Sequence, residues 1–453
     1  MFKHEPDNRR LLKAADAGLA AAEVMRATDN VAIAADRKPF QGTANNVQPE
    51  SSAEAQPSMW GGVFAMTLCT FALVASEFMP VSLLTPVAVD LKISQGMAGQ
   101  AISVSGAFAV LTSLSISALA DKMSRKTLLL WMTGLMFLSG PVIALAPNYA
   151  TYMAGRVLIG VAIGGFWSMS AAAALRLVPA PQVPRALAIF NGGNALATVV
   201  AAPLGSYLGA VIGWRGAFFC LAPVAMLAFL WQWISLPRMA PEERAAGSGN
   251  VFTLLSNPLV ALGMAAVGVF FMGQFALFTY LRPFLETVTG VAVSTLSFVL
   301  LTIGVAGFIG TVLIGACLKR SFYGTLIAIP LLMAMIALGL IVLGSSLAAV
   351  VVLLGVWGLI ATAAPVGWWT WVARTIPENA EGGGGLMVAV VQLAIGLGST
   401  VGGLLFDICG YRSTFMASAG LLMISAFLAF LASRAALGAA RSAAWSSEAR
   451  DTS

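Results

Sequence analysis

From Trp60 to about residue 433 the chain is a succession of apolar runs broken by short polar turns. Each run is roughly 20 residues long, the length an α-helix needs to cross a ~30 Å hydrocarbon layer. Inside lipid only helices and closed barrels satisfy every backbone polar group, so this pattern leaves few folds open. Twelve runs lie near 60–85, 98–119, 127–146, 149–175, 186–210, 216–235, 259–284, 294–317, 324–344, 347–373, 385–407 and 414–433. The longest interruption, 236–258, divides them six and six. The expected fold is all-α: a polytopic membrane protein of twelve transmembrane helices arranged as two six-helix repeats. The expected organisation is a disordered cytoplasmic tail at 1–58, a six-helix bundle at 59–235, a cytoplasmic linker at 236–258, a second bundle at 259–433 and a cytoplasmic tail at 434–453. The charged fraction agrees, at 10% against about 25% in soluble domains.

The same composition excludes several functions. The net charge of +6 is spread over short loops, so it does not mark a nucleic-acid binder. Cys69, Cys220, Cys317 and Cys409 are far apart with no C-x-x-C, so neither a zinc site nor a disulfide framework is expected. The single histidine, His4, lies in the tail, which removes histidine metal sites and proton relays from the spans. No metal and no cofactor are expected. "GLGSTVGG" at 396–403 has neither the spacing nor the strand–helix context of a phosphate loop. There is no G-x-x-x-x-G-K-[ST] for ATP-driven transport, and no nucleophile–base set for an enzyme. The Arg9-Arg10 pair is not followed by a long apolar core, so the tail does not read as a signal peptide.

Lysine and arginine set the orientation. With the tail inside, the inner loops hold Lys122, Arg125, Lys126, Arg176, Arg185, Arg238, Arg244, Lys319, Arg320 and Arg374. The outer turns hold only Lys92, Arg215, Arg282 and Arg412. Both termini are therefore expected in the cytoplasm.

The two halves repeat at an offset of 197: "SEFMPVSLLTP" at 76–86 aligns with "GQFALFTYLRP" at 273–283, which sets Glu77 on Gln274, Phe78 on Phe275 and Pro86 on Pro283. At the same offset Gly205, Gly213, Arg215 and Phe218 meet Gly402, Gly410, Arg412 and Phe415. Parallel repeats of six helices point to a transporter whose substrate site lies between the halves.

The loop "SALADKMSRKTL" at 117–128 resembles the loop signature of the major facilitator superfamily, Gly-x-x-x-Asp-(Arg/Lys)-x-Gly-Arg-(Arg/Lys). Asp121, Lys122, Arg125 and Lys126 fit it, while Ser117 and Ser124 stand where glycines are usual. The resemblance implies a cytoplasmic charge latch between helices that stabilises the outward-open state. Arg156-x-x-x-Gly160-x-x-x-Gly164 resembles the fourth-helix motif of that superfamily, its spacing setting all three on one stripe. "TVVAAPLGS" at 198–206 resembles the glycine–proline motif of proton-coupled exporters, with Pro203 and Gly205 kept and Thr198, Ala202 and Ser206 replacing glycines. "GGFWSMSA" at 164–171, "APLGSYLGAVIGWR" at 202–215 and "PVGWWTWVAR" at 365–374, with the first span and its repeat, look like the drug:proton antiporter branch, and most like bacterial purine ribonucleoside efflux pumps.

Glu77 is the only carboxylate deep inside an expected span; Asp407 sits at a helix end, and Asp90, Asp121 and Glu286 lie in or beside loops. Glu77 and Arg156 are each about seven residues from the outer ends of spans one and four, or ~10 Å down at 1.5 Å per residue. Those helices are neighbours in the resembled fold, so a Glu77–Arg156 contact is expected in depth. A charge in the membrane costs ~2.5–3.5 kcal/mol and marks function by default. If the carboxylate's surroundings change between inward and outward states, so does its proton affinity, each pKa unit being worth ~1.4 kcal/mol. The competing expectation is a static ion pair between the two helices.

Gln274 keeps hydrogen-bonding ability without charge, as do Asn191, Asn194 and Gln392 at membrane depth. Trp167, Trp368, Trp369 and Tyr280 offer flat faces, and stacking a base on an aromatic is worth ~1–3 kcal/mol. The bland alternatives are amides that tie helices together and tryptophans at the membrane interface. The expected function is a proton-coupled antiporter exporting a small neutral solute, with purine ribonucleosides such as inosine or guanosine first. A sugar or multidrug exporter, or a passive facilitator or non-transporting receptor, are the alternatives. The expected setting is a bacterial inner membrane, with a monomer in contact with lipid, substrate and protons.

Overall fold

The computed structural model describes residues 59–120, 123–179, 182–237, 239, 251–377 and 380–451. Among the described residues, twelve helices are long and apolar enough to cross a membrane: α1 (Trp60–Asp90), α2 (Gln95–Ile116), α3 (Arg125–Ala144), α4 (Tyr149–Ser170), α5 (Arg185–Val211), α6 (Gly213–Ser235), α7 (Pro258–Phe278), α8 (Val293–Arg320), α9 (Phe322–Leu343), α10 (Leu347–Thr375), α11 (Gly382–Cys409) and α12 (Tyr411–Gly438). Each overlaps one of the twelve expected runs, with ends that differ by a few residues. No strand occurs among the described residues. The expected tail at 1–58, together with Asp121 and Lys122 of the loop signature, lies outside the described residues. A 3-10 turn at Val251–Ser256 leads into α7, and Asn257 caps that helix, its side-chain oxygen accepting from the Leu259 amide at 2.9 Å.

The offset of 197 reappears in three dimensions. Gly213 and Gly410 both have a φ of +76°, the left-handed turn in which glycine ends a helix at no steric cost. They close α5 and α11 at equivalent places. A Cβ on Gly205 would lie 3.1 Å from Met79 of α1, and one on Gly402 would lie 3.0 Å from Ala276 of α7. Met79 and Ala276 are themselves repeat mates, so α5 packs on α1 as α11 packs on α7. Phe78 and Phe275, also repeat mates, stack on each other with centroids 5.9 Å apart at 22°. The two halves therefore face each other across their equivalent first helices.

α1 runs five residues further than the expected end near 85, through Pro80 and Pro86 to Asp90. A proline inside a helix removes the amide that would bond the carbonyl four residues earlier. In α1 those carbonyls belong to Ser76 and Ser82, and each finds an arginine instead: Arg156 donates to the Ser76 carbonyl at 2.9 Å, and Arg282 donates to the Ser82 carbonyl. The helix continues because both orphaned acceptors are satisfied from outside it.

The glycines of α4 do what their spacing predicts. A Cβ on Gly160 would sit 2.8 Å from Ser105 Cα, and one on Gly164 would sit 2.9 Å from Ala109 Cα, so α2 and α4 meet backbone to backbone. A Gly164→Leu variant is expected to force them apart, lowering stability by about 1–3 kcal/mol. A thermal melt in detergent tests this, and an unchanged midpoint would show that the contact yields at no cost.

Candidate functional site

Glu77 lies midway along α1 and is 7% exposed. Its Oε1 accepts a hydrogen bond from Gln392 Nε2 at 3.1 Å. Gln392 belongs to α11, in the other half, and is equally buried. The bond therefore spans the interface between the two halves. Sequence reading puts Gln392 among substrate-binding amides; the structure gives it the carboxylate as partner.

Arg156 lies at the expected depth but goes elsewhere. It is fully buried and spends its fork on three acceptors: Nη1 on the Ser76 carbonyl at 2.9 Å, Nε on the Ala101 carbonyl at 3.0 Å and Nη2 on Ser105 Oγ at 2.9 Å. It touches the main chain beside Glu77 rather than its carboxylate. Among the described residues no ion pair joins the two. The reason is Pro80, which frees the Ser76 carbonyl and offers the guanidinium a desolvated acceptor. Arg156 thereby ties α4 to α1 and α2. This differs from the static Glu77–Arg156 ion pair expected as the competing role.

Gln274, the repeat mate of Glu77, is half-buried on α7, and its Oε1 is buried without a hydrogen-bond partner. Such an acceptor costs free energy unless something fills it. Its neighbour Phe275 stacks on Phe78, the neighbour of Glu77, so the two repeat positions adjoin the same cross-half contact.

The remaining candidates separate. Trp167 is half-buried, eleven residues beyond Arg156 on α4, about 16 Å at 1.5 Å per residue. It stands edge-on to Phe166 and Phe190, with centroids 6.4 Å and 6.2 Å away. On α5, Asn191 is exposed and donates back to the Leu187 carbonyl at 3.0 Å, and Asn194 is half-buried. Two aromatics expected to face substrate do not. Trp368 is 2% exposed, edge-on to Trp371 in the core of the second half. Tyr280 is fully buried, donates to the Ser399 carbonyl at 2.8 Å and stacks on Phe406. Trp368 is covered within its own half, Tyr280 is closed in between Phe406 and the first-half residues around Gly99, and Trp369 is the exposed member of the tryptophan pair. Lys126 of the loop signature donates to the Trp233 and Leu236 carbonyls at 2.7 and 2.6 Å. That satisfies carbonyls at the end of α6, where a cation suits the helix dipole. Arg125 is half-buried beside it.

Sequence reading passes over the polar contacts between α2 and α11. Ser103 Oγ donates to the Gly396 carbonyl at 2.8 Å, and Thr400 Oγ1 lies 2.8 Å from Ser103 Oγ and 3.0 Å from Gln100 Oε1. A Cβ on Gly106 would lie 2.8 Å from the Gln392 carbonyl, so the backbones are close there as well. These partners are about 300 residues apart in the chain, and no local pattern connects them.

A model of the Major Facilitator Superfamily matches residues 66–385. The chain is 65% identical over 392 residues to "Transcription regulatory protein OpdE" of Pseudomonas aeruginosa, covering 86% of this chain and 96% of that one. It is 42% identical over 374 residues to "Purine ribonucleoside efflux pump NepI" of Salmonella paratyphi B, covering 83% and 94%. A solved bacterial homologue of the human lysosomal transporter Spinster shares the fold with a TM-score of 0.68 at 18% identity, over 84% of this chain and 98% of that one. With twelve spanning helices, repeat-related halves and a polar interface between them, the chain belongs to the major facilitator superfamily.

Proposed function

We propose that the protein is a proton-coupled antiporter of a bacterial inner membrane that exports a small neutral solute, with purine ribonucleosides as the first substrate class. The observation that carries this reading is the Glu77–Gln392 hydrogen bond across the halves. An intramembrane carboxylate is a functional group by default. One held by an amide, with no cation in ion-pair contact among the described residues, can exchange a proton without breaking an ion pair. The partner suits both forms: a carboxylate accepts from the amide NH2, and a carboxylic acid donates to the amide oxygen. Proton exchange at Glu77 therefore changes a bond between the two moving bodies.

The lysine and arginine distribution supports an orientation with the Asp90 end of α1 outside and both termini in the cytoplasm. On that orientation the contacts between α2 and α11 close the interface on its outer side, an arrangement in which substrate would enter from the cytoplasm. The unpartnered Gln274 oxygen fits a donor on a base edge or a ribose hydroxyl, and Trp167 offers a ring nearer the cytoplasmic side. The 42% identical relative carries a purine ribonucleoside pump's name, which supports the same class. A Gln274→Ala variant is expected to weaken inosine binding about tenfold, the loss of one hydrogen bond to a buried group, without removing dependence on a pH gradient. Counterflow with labelled inosine, arabinose and a cationic drug separates nucleoside, sugar and multidrug export. A variant that binds inosine like the parent excludes Gln274 from the site.

The regulatory role in the name of the 65% identical relative favours a second reading, a membrane receptor. Binding without flux for every solute in the panel would decide for it.

A further inference from the structure

We infer that Asp407 is a gate residue: its carboxylate, at the end of α11, holds the first turn of α2 from the other half and keeps the Asp90 mouth shut. Two hydrogen bonds show the hold. Asp407 Oδ1 accepts from the Gly96 amide at 2.9 Å, and Oδ2 accepts from Ser94 Oγ at 2.5 Å. Ser94 in turn caps α2, its Oγ accepting from the Met97 amide at 3.1 Å. The orphan amides of a helix start attract an anion, and hydrogen bonds to an ionised carboxylate are about twice as strong as neutral ones. Here the anion and the helix belong to opposite halves, so the contact exists only while that mouth is closed.

The surrounding geometry is built for the closed mouth. A Cβ on Gly96 would collide with the Asp407 carboxylate and lie 2.7 Å from the Gly403 carbonyl, so the two helices touch through backbone. Arg282, paired with Glu286 at 2.7 Å, reaches the Ser82 carbonyl that Pro86 leaves free, adding a second cross-half contact from α7's end to α1. Asp407 is on the same helix as Gln392, fifteen residues apart, about 22 Å along it. One rigid element thus meets Glu77 at mid-membrane and seals the mouth at its end.

The test reads conformation directly and needs no substrate, so its outcome is independent of what is transported. Spin labels at Val89 and Ile408, both well exposed, report the separation of the halves in the full chain, with Cys220, Cys317 and Cys409 replaced by serine. Asp407→Asn is expected to shift the ratio of open to closed mouth about tenfold toward open, the scale of one charge-assisted bond. Asp407→Glu should restore part of the closed population, a result that a purely structural role would not give. Gly96→Ala and Ser94→Ala act on the other half of the same contact and should shift the ratio in the same direction, which keeps the test decisive if Asp407→Asn does not fold. A folded Asp407→Asn, or failing that Ser94→Ala, with the parent's distance distribution would overturn the assignment.

Discussion

Replacing Glu77 by glutamine is expected to abolish export driven by a pH gradient while sparing counterflow of labelled against unlabelled substrate. Glutamine has nearly the shape of glutamate and can still bond the Gln392 amide, so the cross-half contact of 3.1 Å has a neutral substitute. What the variant lacks is a proton to take up and give back. Locked in a neutral state, it can shuttle with substrate bound on both legs, and a proton gradient has no purchase on it. The effect on gradient-driven flux is a fall to the rate of protein-free vesicles, with affinity changed by less than about tenfold. Undiminished gradient-driven export by a folded Glu77→Gln protein would remove Glu77 from the coupling step. A protein that neither binds nor exchanges would assign it to the structure of the site instead.

Arg156→Ala is expected to be the most destabilising single change in the first half. The side chain is fully buried and donates to two carbonyls and a hydroxyl on α1 and α2. Truncation leaves the Ser76 carbonyl, which Pro80 has already deprived of its in-helix donor, without a partner at about 1–3 kcal/mol, removes the ties to Ala101 and Ser105 on α2, and opens a buried space where the guanidinium stood. A loss of on the order of 3–5 kcal/mol follows after partial relaxation, enough to lower the thermal midpoint by many degrees and cut the yield of folded protein. Arg156→Lys should fall between, because an ammonium reaches one or two of the acceptors but cannot fork among all three. Thermal melts of the three proteins in one detergent check the order. An alanine variant as stable as the parent would mean that water enters and replaces the guanidinium.

How much of the fold and the site is legible in the sequence depends on whether the signal is local. Spanning helices were readable because length and apolarity suffice for them. The repeat was readable because one offset recurs, and it correctly pairs Gly213 with Gly410, which share a φ of +76°. Glu77 was readable as the lone carboxylate deep in a span. Its partner was not, since Gln392 is 315 residues away. Arg156 went to the Ser76 carbonyl rather than the carboxylate because of Pro80, and there a signal did exist: a proline four residues after a carbonyl in a membrane helix announces an acceptor needing a donor. Tyr280 and Trp368 show the limit for aromatics, whose presence in a span says nothing about which face a neighbour covers. In the sequence Asp407 is one more charge at a helix end, because only the packed structure brings Ser94 and Gly96 to it.

Flux into proteoliposomes with labelled inosine, with and without an acidic interior, bears most squarely on proton-coupled nucleoside export. Protons leaving the acidic lumen should drive inosine in, above the outside concentration, through protein molecules whose cytoplasmic face is outward. A protonophore should collapse that accumulation, and arabinose should not share it. Inosine that only equilibrates, at the same rate with and without the gradient, would contradict proton coupling, and accumulation of arabinose but not inosine would contradict the nucleoside assignment.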